Sequence, residues 1–470
     1  MKKICFFLFS TIIVLTLMGG LTNSVQPVSA NQTQVVPDVT IEVNTFEDGE
    51  DFAINSVCSV GSITGGPCSL RAAISEASFF DNQIVEIIVP SGTYKLTLTE
   101  PSHPENHERT FGDLDIHDAA EGKGNLIIIS GQGDLKNRPI IDANQIDRIL
   151  EIGSNRLVWM QNLVLKNGLV EDGDGSRGGA ISLTNSVLAL NTVRLTNNEA
   201  RPVGHNVGLG GAIYTSDSQF YLYNCELDHN KAENRSVIYA YSSTVSKYKD
   251  PDQIKETSIH HNIATTDPQY AIHIMTSKRL NMVNSTMSDN IAGDGSKSGM
   301  NINGGTDLWI QHSTLVARGS DNIWNRYSLR LYFSILVNLP DDEGNTGKNC
   351  LMDDGYLPSK SGNVVTDDSC SPDTLNGDVQ VSHEQVGLLD LANYGGPTPT
   401  RALLSNSPAK DLRMGNCQYY DFHSAKGGGS DPELLVLETD QRGMPRDDSF
   451  CDSGAYELKL FMLHLPVIAK

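Results

Sequence analysis

A short pattern recurs along the middle of the chain at an almost fixed interval. It consists of an aliphatic residue, two polar residues, an asparagine, any residue and an alanine. Successive aliphatic positions are 32, 32, 28 and 28 residues apart, and these positions are Leu195, Leu227, Ile259, Met287 and Leu315. A fixed period of this length indicates a repeat architecture in which each unit packs on the next.

The sequence inside each repeat narrows the choice of architecture. Residues 218–227 and 279–287 alternate between apolar and polar side chains, as β-strands do, and Gly, Asn, Asp or Pro interrupts the runs. Residues 81–350 show no helical periodicity, and a propeller blade needs about 40 residues or more. We therefore predict an all-β chain that forms a right-handed parallel β-helix, with three short strands in each coil.

Stacked coils would place each residue above its equivalent one period later. The aliphatic positions would then form the core. The asparagines of the pattern would form a ladder in which each amide bonds along the stack and to the backbone of a bend. These asparagines are Asn198, Asn230, Asn262 and Asn290.

The chain divides into four predicted parts. Residues 1–30 have the pattern of a secretory signal peptide, with a positive start, an apolar run and small residues before a cleavage site. The apolar run is short for a membrane anchor, so cleavage is favoured, and no later segment is expected to form a transmembrane helix. Residues 31–124 are predicted to form an N-terminal cap region, residues 125–340 the β-helix repeats, and residues 341–470 a cysteine-containing terminal region with an apolar tail.

The net charge argues against several classes of partner. The chain has 35 Lys and Arg against 57 Asp and Glu, a net charge of −22, and the predicted cleavage would leave 33 − 57 = −24. A protein that binds nucleic acid needs a cationic surface, so no nucleic-acid partner is expected. Anionic lipid, and acidic polysaccharide without a bridging cation, are disfavoured for the same reason.

Cysteines in an exported chain can oxidise, although the sequence does not fix their pairing. The shortest loops favour Cys58 with Cys68 and Cys350 with Cys370, which leaves Cys417 with Cys451. Cys225 lies in an alternating apolar run, and we expect it to be a buried small residue rather than a nucleophile.

Residues 68–77 predict a short helix that caps the first coil. Ser69 is a suitable N-cap, and four apolar residues with helical spacing share one face, namely Leu70, Ala73, Ile74 and Ala77. The segment from Cys68 to Ile74 resembles the CSLREA motif of exported bacterial β-helix proteins, with Ala72 in place of the motif's glutamate.

Other segments extend this resemblance. Residues 394–400, 440–446 and 451–457 are similar to the choice-of-anchor Q terminal region, and the repeats resemble those of polymorphic outer-membrane proteins. Together these similarities cover most of residues 55–457. They imply a right-handed, pectate-lyase-like parallel β-helix at or outside the cell surface, and they imply no particular reaction.

The first candidate site is the turn that carries the asparagine ladder. Stacking would bring together the polar residues that precede the ladder asparagines, which are Asp228, His229, His260, His261 and Asp289. Imidazole and carboxylate groups of this kind bind metals or act as acids and bases. The favoured interpretation is nevertheless a solvated turn, because turns are polar in any case and no strict ligand spacing is present.

Two further acidic groups are weaker candidates. Asp113 and Asp115 alternate along a strand and would face the same way, as paired glycosidase carboxylates do, but their place near the cap favours a structural role. Asp172, Asp174 and Asp294 lie in glycine-rich turns that are candidates for Ca²⁺ without the EF-hand spacing. No other cofactor is expected.

The sequence therefore favours a non-enzymatic exported protein, secreted or displayed at the cell surface. Adhesion or another surface interaction, with a polysaccharide or protein partner, is the expected role. The alternative is a polysaccharide lyase or glycoside hydrolase that acts in a groove beside the coils. The chain contains no GxSxG, HExxH, P-loop or dinucleotide fingerprint that would indicate another enzyme class.

Overall fold

The structure is a computed structural model. It describes residues 35–99, 111–171, 176–201, 207–232, 236–243, 250–265, 270–275, 279–292, 300–304, 306–353, 356–422, 432–446 and 449–459. Parallel strands dominate these residues, and the predicted all-β, parallel β-helix fold with a short helix is confirmed.

Four parallel sheets run along the coil, and the chain visits them in the order sheet 1, sheet 2, sheet 4, sheet 3. Sheet 1 consists of Val39–Glu42, Ile84–Val89, Leu126–Gly131, Leu157–Gln161, Val187–Asn191, Gln219–Tyr223, Asp252–Lys255, Arg279–Val283, Asp307–Gln311, Ser328–Tyr332 and Tyr356–Ser361. Sheet 2 consists of Thr93–Lys95, Ile140–Asp142, Val164–Lys166, Arg194–Thr196, Glu226–Asp228, Ser258–His260, Thr286–Ser288, Thr314–Arg318, Ile335–Leu339, Val364–Val365 and Val379–Gln380.

The two remaining sheets complete each coil. Sheet 3 consists of Leu114–Ile116, Leu150–Ile152, Ile181–Thr184, Ile213–Ser216, Ser236–Tyr241, Tyr270–Met275, Met300–Gly304, Ile323–Asn325 and Cys350–Met352. Sheet 4 has two-residue strands, which are Leu169–Val170, Glu199–Ala200, Lys231–Ala232, Ile263–Ala264 and Ile291–Ala292. Parallel pairing begins before residue 125 and continues beyond residue 340, so the observed coil is longer than the segment in which the repeat can be recognised.

The core follows the repeat of the sequence. Leu195, Leu227 and Ile259 pair in register on adjacent strands of sheet 2, and all three are fully buried. Met287 and Leu315 extend the same column. The predicted stack of aliphatic residues is therefore confirmed, and it lines the interior of the coil along its length.

The asparagine ladder is also confirmed. The Nδ2 atom of Asn198 lies 2.9 Å from Oδ1 of Asn230, and the corresponding distances from Asn230 to Asn262 and from Asn262 to Asn290 are both 3.0 Å. Each Nδ2 also donates to a backbone carbonyl, as Asn230 does to that of Leu195 at 2.9 Å. The ladder thus satisfies polar groups at a buried bend, where an unpaired group would be costly.

A second ladder lies between sheets 1 and 2, and the sequence analysis did not predict it. The backbone N–H of Thr257 donates to the hydroxyl of Ser285 at 3.1 Å, and Ser285 donates in the same way to Ser313 at 3.2 Å. Cys225 occupies the equivalent position one coil earlier and donates its N–H to the Thr257 hydroxyl at 3.2 Å. Cys225 is fully buried and forms no disulfide, and its thiol donates to the Tyr223 carbonyl at 3.3 Å. Burial raises the pKa of this thiol to about 11, as expected of a structural residue.

The capping helix spans Leu70–Ala77. The Ser69 hydroxyl accepts a hydrogen bond from the N–H of Ala72 at 3.0 Å, as an N-cap should. Arg71 is buried and bonds to Asp48 at 2.8 Å. The helix therefore closes the end of the coil and also fixes the loop that precedes it.

The last part of the chain folds back along the coil. We call residues 386–422, 432–446 and 449–459 the C-terminal lobe. Its strands pair antiparallel, and they are Leu388–Ala392 with Thr400–Leu403, Arg413–Met414 with Phe450–Cys451, and Gln418–Asp421 with Glu433–Val436. Two short 3-10 helices, Thr374–Asn376 and His383–Gln385, connect the coil to the lobe.

The lobe packs on the outer faces of sheets 1 and 2. Gln311 on sheet 1 exchanges two hydrogen bonds with the backbone of Tyr420, at 2.7 and 3.0 Å. Inside the lobe, Arg446 and Glu457 form a fully buried ion pair at 2.7 Å. Arg446 also reaches the coil, where it donates to Asn284 Oδ1 at 3.2 Å.

The three disulfides have the predicted pairing: Cys58–Cys68, Cys350–Cys370 and Cys417–Cys451. They are consistent with an oxidising compartment. The predicted signal peptide and the apolar tail after residue 459 lie outside the described residues. Within the described ranges, no helix is both long enough and apolar enough to cross a membrane.

Candidate functional site

The turn after each strand of sheet 2 adopts a left-handed backbone. His229, His261 and Asp289 occupy equivalent positions in successive coils, with φ values of 54°, 52° and 56°. Their neighbours Asp228 and His260 pair in register on sheet 2. The structure therefore brings together all five residues of the first candidate site, on the outer edge of three adjacent coils.

Asp228 is the most tightly held member of this group. Its side chain is fully buried and accepts two hydrogen bonds from Arg194, at 2.7 and 2.8 Å. His229, which is 55 % exposed, contacts it through Nδ1 at 2.6 Å. Burial alone would raise the pKa of Asp228, but the hydrogen bonds from Arg194 and His229 hold it below its ordinary value.

A chain of three groups lies beside this pair. Oε1 of Glu226 is 3.3 Å from Nε2 of His260, and Nδ1 of His260 is 2.8 Å from Nδ1 of His261. A contact between two imidazole nitrogens at this distance requires one proton between them. Burial and the neighbouring His260 lower the pKa of His261. The two contacts link one carboxylate and two imidazoles into a path for proton transfer.

Asp289 joins the turn to the C-terminal lobe. Arg401 of the lobe donates to both of its carboxylate oxygens at 3.0 Å and to the Ser288 hydroxyl at 2.7 Å. Burial would raise the pKa of Asp289, but the charge of Arg401 and the bond from Ser288 hold it below its ordinary value. This carboxylate therefore has a structural partner.

Three members of this surface, Arg194, Glu226 and Arg401, were not predicted from the sequence. Glu226 stands two residues before Asp228 on the same strand, so the alternation of a strand was a usable signal for it. Arg401 is 112 residues away from Asp289 in the chain. No local pattern predicts that contact, because it depends on how the lobe docks.

The second candidate pair also lies in one cluster. Oxygen atoms of Asp113, Asp115 and Glu151 lie within 4.8 Å of one another, since Asp115 and Glu151 are neighbours across sheet 3. Arg148 is 3.5 Å from Asp113 and 2.9 Å from Glu151. A guanidinium group therefore already neutralises part of the charge that a cation would need.

Two carboxyl groups of this acidic cluster, Asp113 and Asp115, have raised pKa values. Burial, followed by the charge of Asp115, raises the pKa of Asp113 well above its ordinary value. Burial and the charge of Glu151 raise the pKa of Asp115 to about 7. Burial and like charges therefore both favour the protonated forms of Asp113 and Asp115.

The remaining candidates for metal binding are limited. Asp172, Asp174 and Asp294 lie outside the described residues. Ligand atoms of His312, Cys417 and Cys451 also converge, but the two cysteines are joined in a disulfide and offer no thiolate.

Comparison with known proteins adds little to this geometry. No family model matches the chain, and no curated protein matches it. Among solved structures, the chain is similar to the crystal structure of the pectate lyase Pel9A, with 12% sequence identity and a TM-score of 0.41, over 91% of this chain and 98% of that chain.

Proposed function

We propose that the protein is exported and binds a partner at the cell surface or outside the cell, through the outer face of sheet 2 beside the C-terminal lobe. The observation that supports this most is that the charged groups of this face are already held by fixed partners. Arg194 is tied to Asp228, and Asp289 is tied to Arg401. The buried Asp228 and Arg401 thereby hold the partly exposed Arg194 and Asp289 in place, so these two charges meet a partner with little loss of side-chain freedom on binding.

Export is supported by the three disulfides and by the signal-peptide pattern of residues 1–30. The net charge favours a partner that is neutral or basic, or one that a divalent cation bridges. Ca²⁺ belongs in every assay, because Asp172, Asp174 and Asp294 remain candidate ligands.

One observation favours a second function, a polysaccharide lyase or glycoside hydrolase. The Glu226–His260–His261 chain links a carboxylate to a histidine whose low pKa keeps it available as a base. In that case His261 would accept a proton from the substrate, and Glu226 would stabilise the resulting charge on the imidazole pair.

A single panel separates the two functions. The mature chain is incubated with neutral and acidic polysaccharides, with and without Ca²⁺, and retention is measured alongside unsaturated product and new reducing ends. Retention of a polysaccharide without product supports the binding function. Product formed at a catalytic rate would favour the enzymatic alternative over the binding function. If neither retention nor product is detected, the partner is to be sought among proteins.

A further inference from the structure

His312 lies in the interface between the coil and the C-terminal lobe. It occupies a left-handed turn position after sheet 1, with φ of 47°, and its side chain is fully buried. Its Nε2 atom is 2.9 Å from the backbone oxygen of Gln418, on a hairpin of the lobe. Since that oxygen only accepts, Nε2 carries the proton of a neutral imidazole.

The second ring nitrogen faces a different environment. Nδ1 of His312 is 3.8 Å from Sγ of Cys451, which is bonded to Cys417. The ring stacks on Phe333 of the next coil with centroids 5.1 Å apart. Within the described residues, these contacts give Nδ1 no carboxylate to stabilise a second proton.

The charged groups around this histidine oppose its protonation. Burial, and then the positive charge of Arg446, lower the pKa of His312 to about 3; the hydrogen bond to the Gln418 carbonyl opposes them, and the charge of Arg413 adds a smaller decrease. The nearby carboxylate Glu457 is already paired with Arg446 at 2.7 Å. A proton on His312 would therefore add a second buried cation beside that of Arg446, whereas Arg413 is exposed.

We propose that His312 makes the docking of the C-terminal lobe sensitive to pH, so that the lobe separates from the coil under acidic conditions. In the docked state His312 is neutral, because its ring is buried between Phe333 and the Cys417–Cys451 disulfide, near the positive charge of Arg446. In an opened state the ring meets water and takes up a proton. Acid therefore shifts the equilibrium toward the opened lobe.

The direction and the range follow from proton linkage. The docked state binds fewer protons than the open state between the ordinary histidine pKa of 6.5 and the docked pKa of about 3. Docking is consequently independent of this group above pH 6.5, and it weakens by up to tenfold for each pH unit below that value. The binding face proposed above on sheet 2 lies beside the lobe, so opening of the lobe in acid would also separate Arg401 from Asp289.

The chain supplies a closely matched variant and its control. His312→Asn places a neutral residue in a left-handed position where the preceding coil already has Asn284, with φ of 53°. His229→Asn makes the same change at an exposed left-handed position, where the preceding coil has Asn197, with φ of 55°. Both substitutions keep a side chain that tolerates this backbone conformation.

Hydrogen exchange of the mature, disulfide-bonded chain tests the proposal between pH 7.5 and 4.5, after correction for the intrinsic exchange rate. Protection of the lobe hairpin formed by Gln418–Asp421 and Glu433–Val436 should fall below pH 6.5 by up to tenfold per pH unit. The coil strand Leu126–Gly131 should keep its protection. His312→Asn should abolish the extra loss in the hairpin, and His229→Asn should not.

Three outcomes would overturn the proposal. One is hairpin protection that does not change with pH. Another is an equal loss of protection in Leu126–Gly131, which would indicate global unfolding. The third is the same pH dependence in His312→Asn as in the unaltered chain. The first two outcomes are measured on the unaltered protein, so the test remains decisive even where the variant folds poorly.

Discussion

At the scale of single residues, the ladder asparagines carry more of the stability than the histidines beside them. Asn230→Ala removes the donor to Leu195 and the acceptor that Asn198 uses, and it leaves buried groups unpaired. We expect it to lower the free energy of unfolding by about 1–3 kcal/mol. Urea melts at pH 7.5 measure this loss.

His229 and His261 occupy equivalent turn positions, but their exposure and contacts differ, so their substitution should change the free energy of unfolding by different amounts. His229 is largely exposed, so His229→Ala should change the free energy of unfolding by at most about 0.5 kcal/mol. His261→Ala leaves the buried Nδ1 of His260 without its partner and should cost about 1 kcal/mol. A larger loss for His229→Ala than for Asn230→Ala would contradict this ranking.

In the acidic cluster of Asp113, Asp115 and Glu151, by contrast, we predict a substitution that stabilises the protein. Because the pKa of Asp115 is raised, the folded state binds more protons than the unfolded state between the ordinary pKa and about 7, and stability falls as pH rises through that range. Asp115→Asn removes the repulsion with Glu151. It should stabilise the protein by about 1 kcal/mol at pH 8 and by less at pH 4, as measured by urea melts.

Retention and turnover by Asp115→Asn distinguish a structural role of the acidic cluster from a catalytic one. Retention in the polysaccharide panel should be unchanged in Asp115→Asn if the cluster only supports the cap of the coil. A loss of turnover without a loss of stability would instead identify Asp113 and Asp115 as paired catalytic carboxylates.

At the scale of elements, we expect the stability of the lobe to depend strongly on its buried ion pair between Arg446 and Glu457. Glu457→Gln leaves the guanidinium of Arg446 buried without a counter-charge. We expect a loss of about 3–5 kcal/mol, seen as early unfolding of the lobe in thermal melts followed by circular dichroism. The double variant Arg446→Met, Glu457→Gln should recover part of this loss, and no recovery would show that the pair is not the cause.

The elements also show what the sequence could and could not predict. The coil was predictable because Leu195, Leu227 and Ile259 recur with a fixed period. The second ladder was not predicted because its column begins with Cys225 and Thr257 and turns to serine only at Ser285 and Ser313, so that no one residue type marks it from the start. The contacts between the lobe and the coil follow no sequence repeat, because antiparallel hairpins contact the coil through residues that are distant in sequence.

The same contrast applies to the candidate site. The five polar residues of the ladder turn were grouped correctly because their positions follow the repeat. Their ion pairs were not predictable, because the side chains of Arg194 and Arg401 approach from another strand and from the lobe. These partners favour a fixed recognition surface over a set of free catalytic groups.

At the scale of the whole molecule, the described residues form a parallel coil with one flank partly covered by the C-terminal lobe and with a charged face beside it. The role of that face is best tested at Glu226, which contacts both Arg194 and His260. Glu226→Gln keeps the size of the side chain and removes its charge. Circular dichroism and urea melts first confirm that the variant is folded.

The decisive measurement compares Glu226→Gln with the unaltered mature chain in the polysaccharide panel, with retention and product followed in the same samples. We predict that the unaltered chain retains a polysaccharide without releasing product, and that Glu226→Gln retains it at least tenfold less strongly, a difference of about 1.4 kcal/mol. Release of unsaturated or reducing product by the unaltered chain, abolished in Glu226→Gln while retention persists, would overturn the proposed binding function and identify this face as an active site.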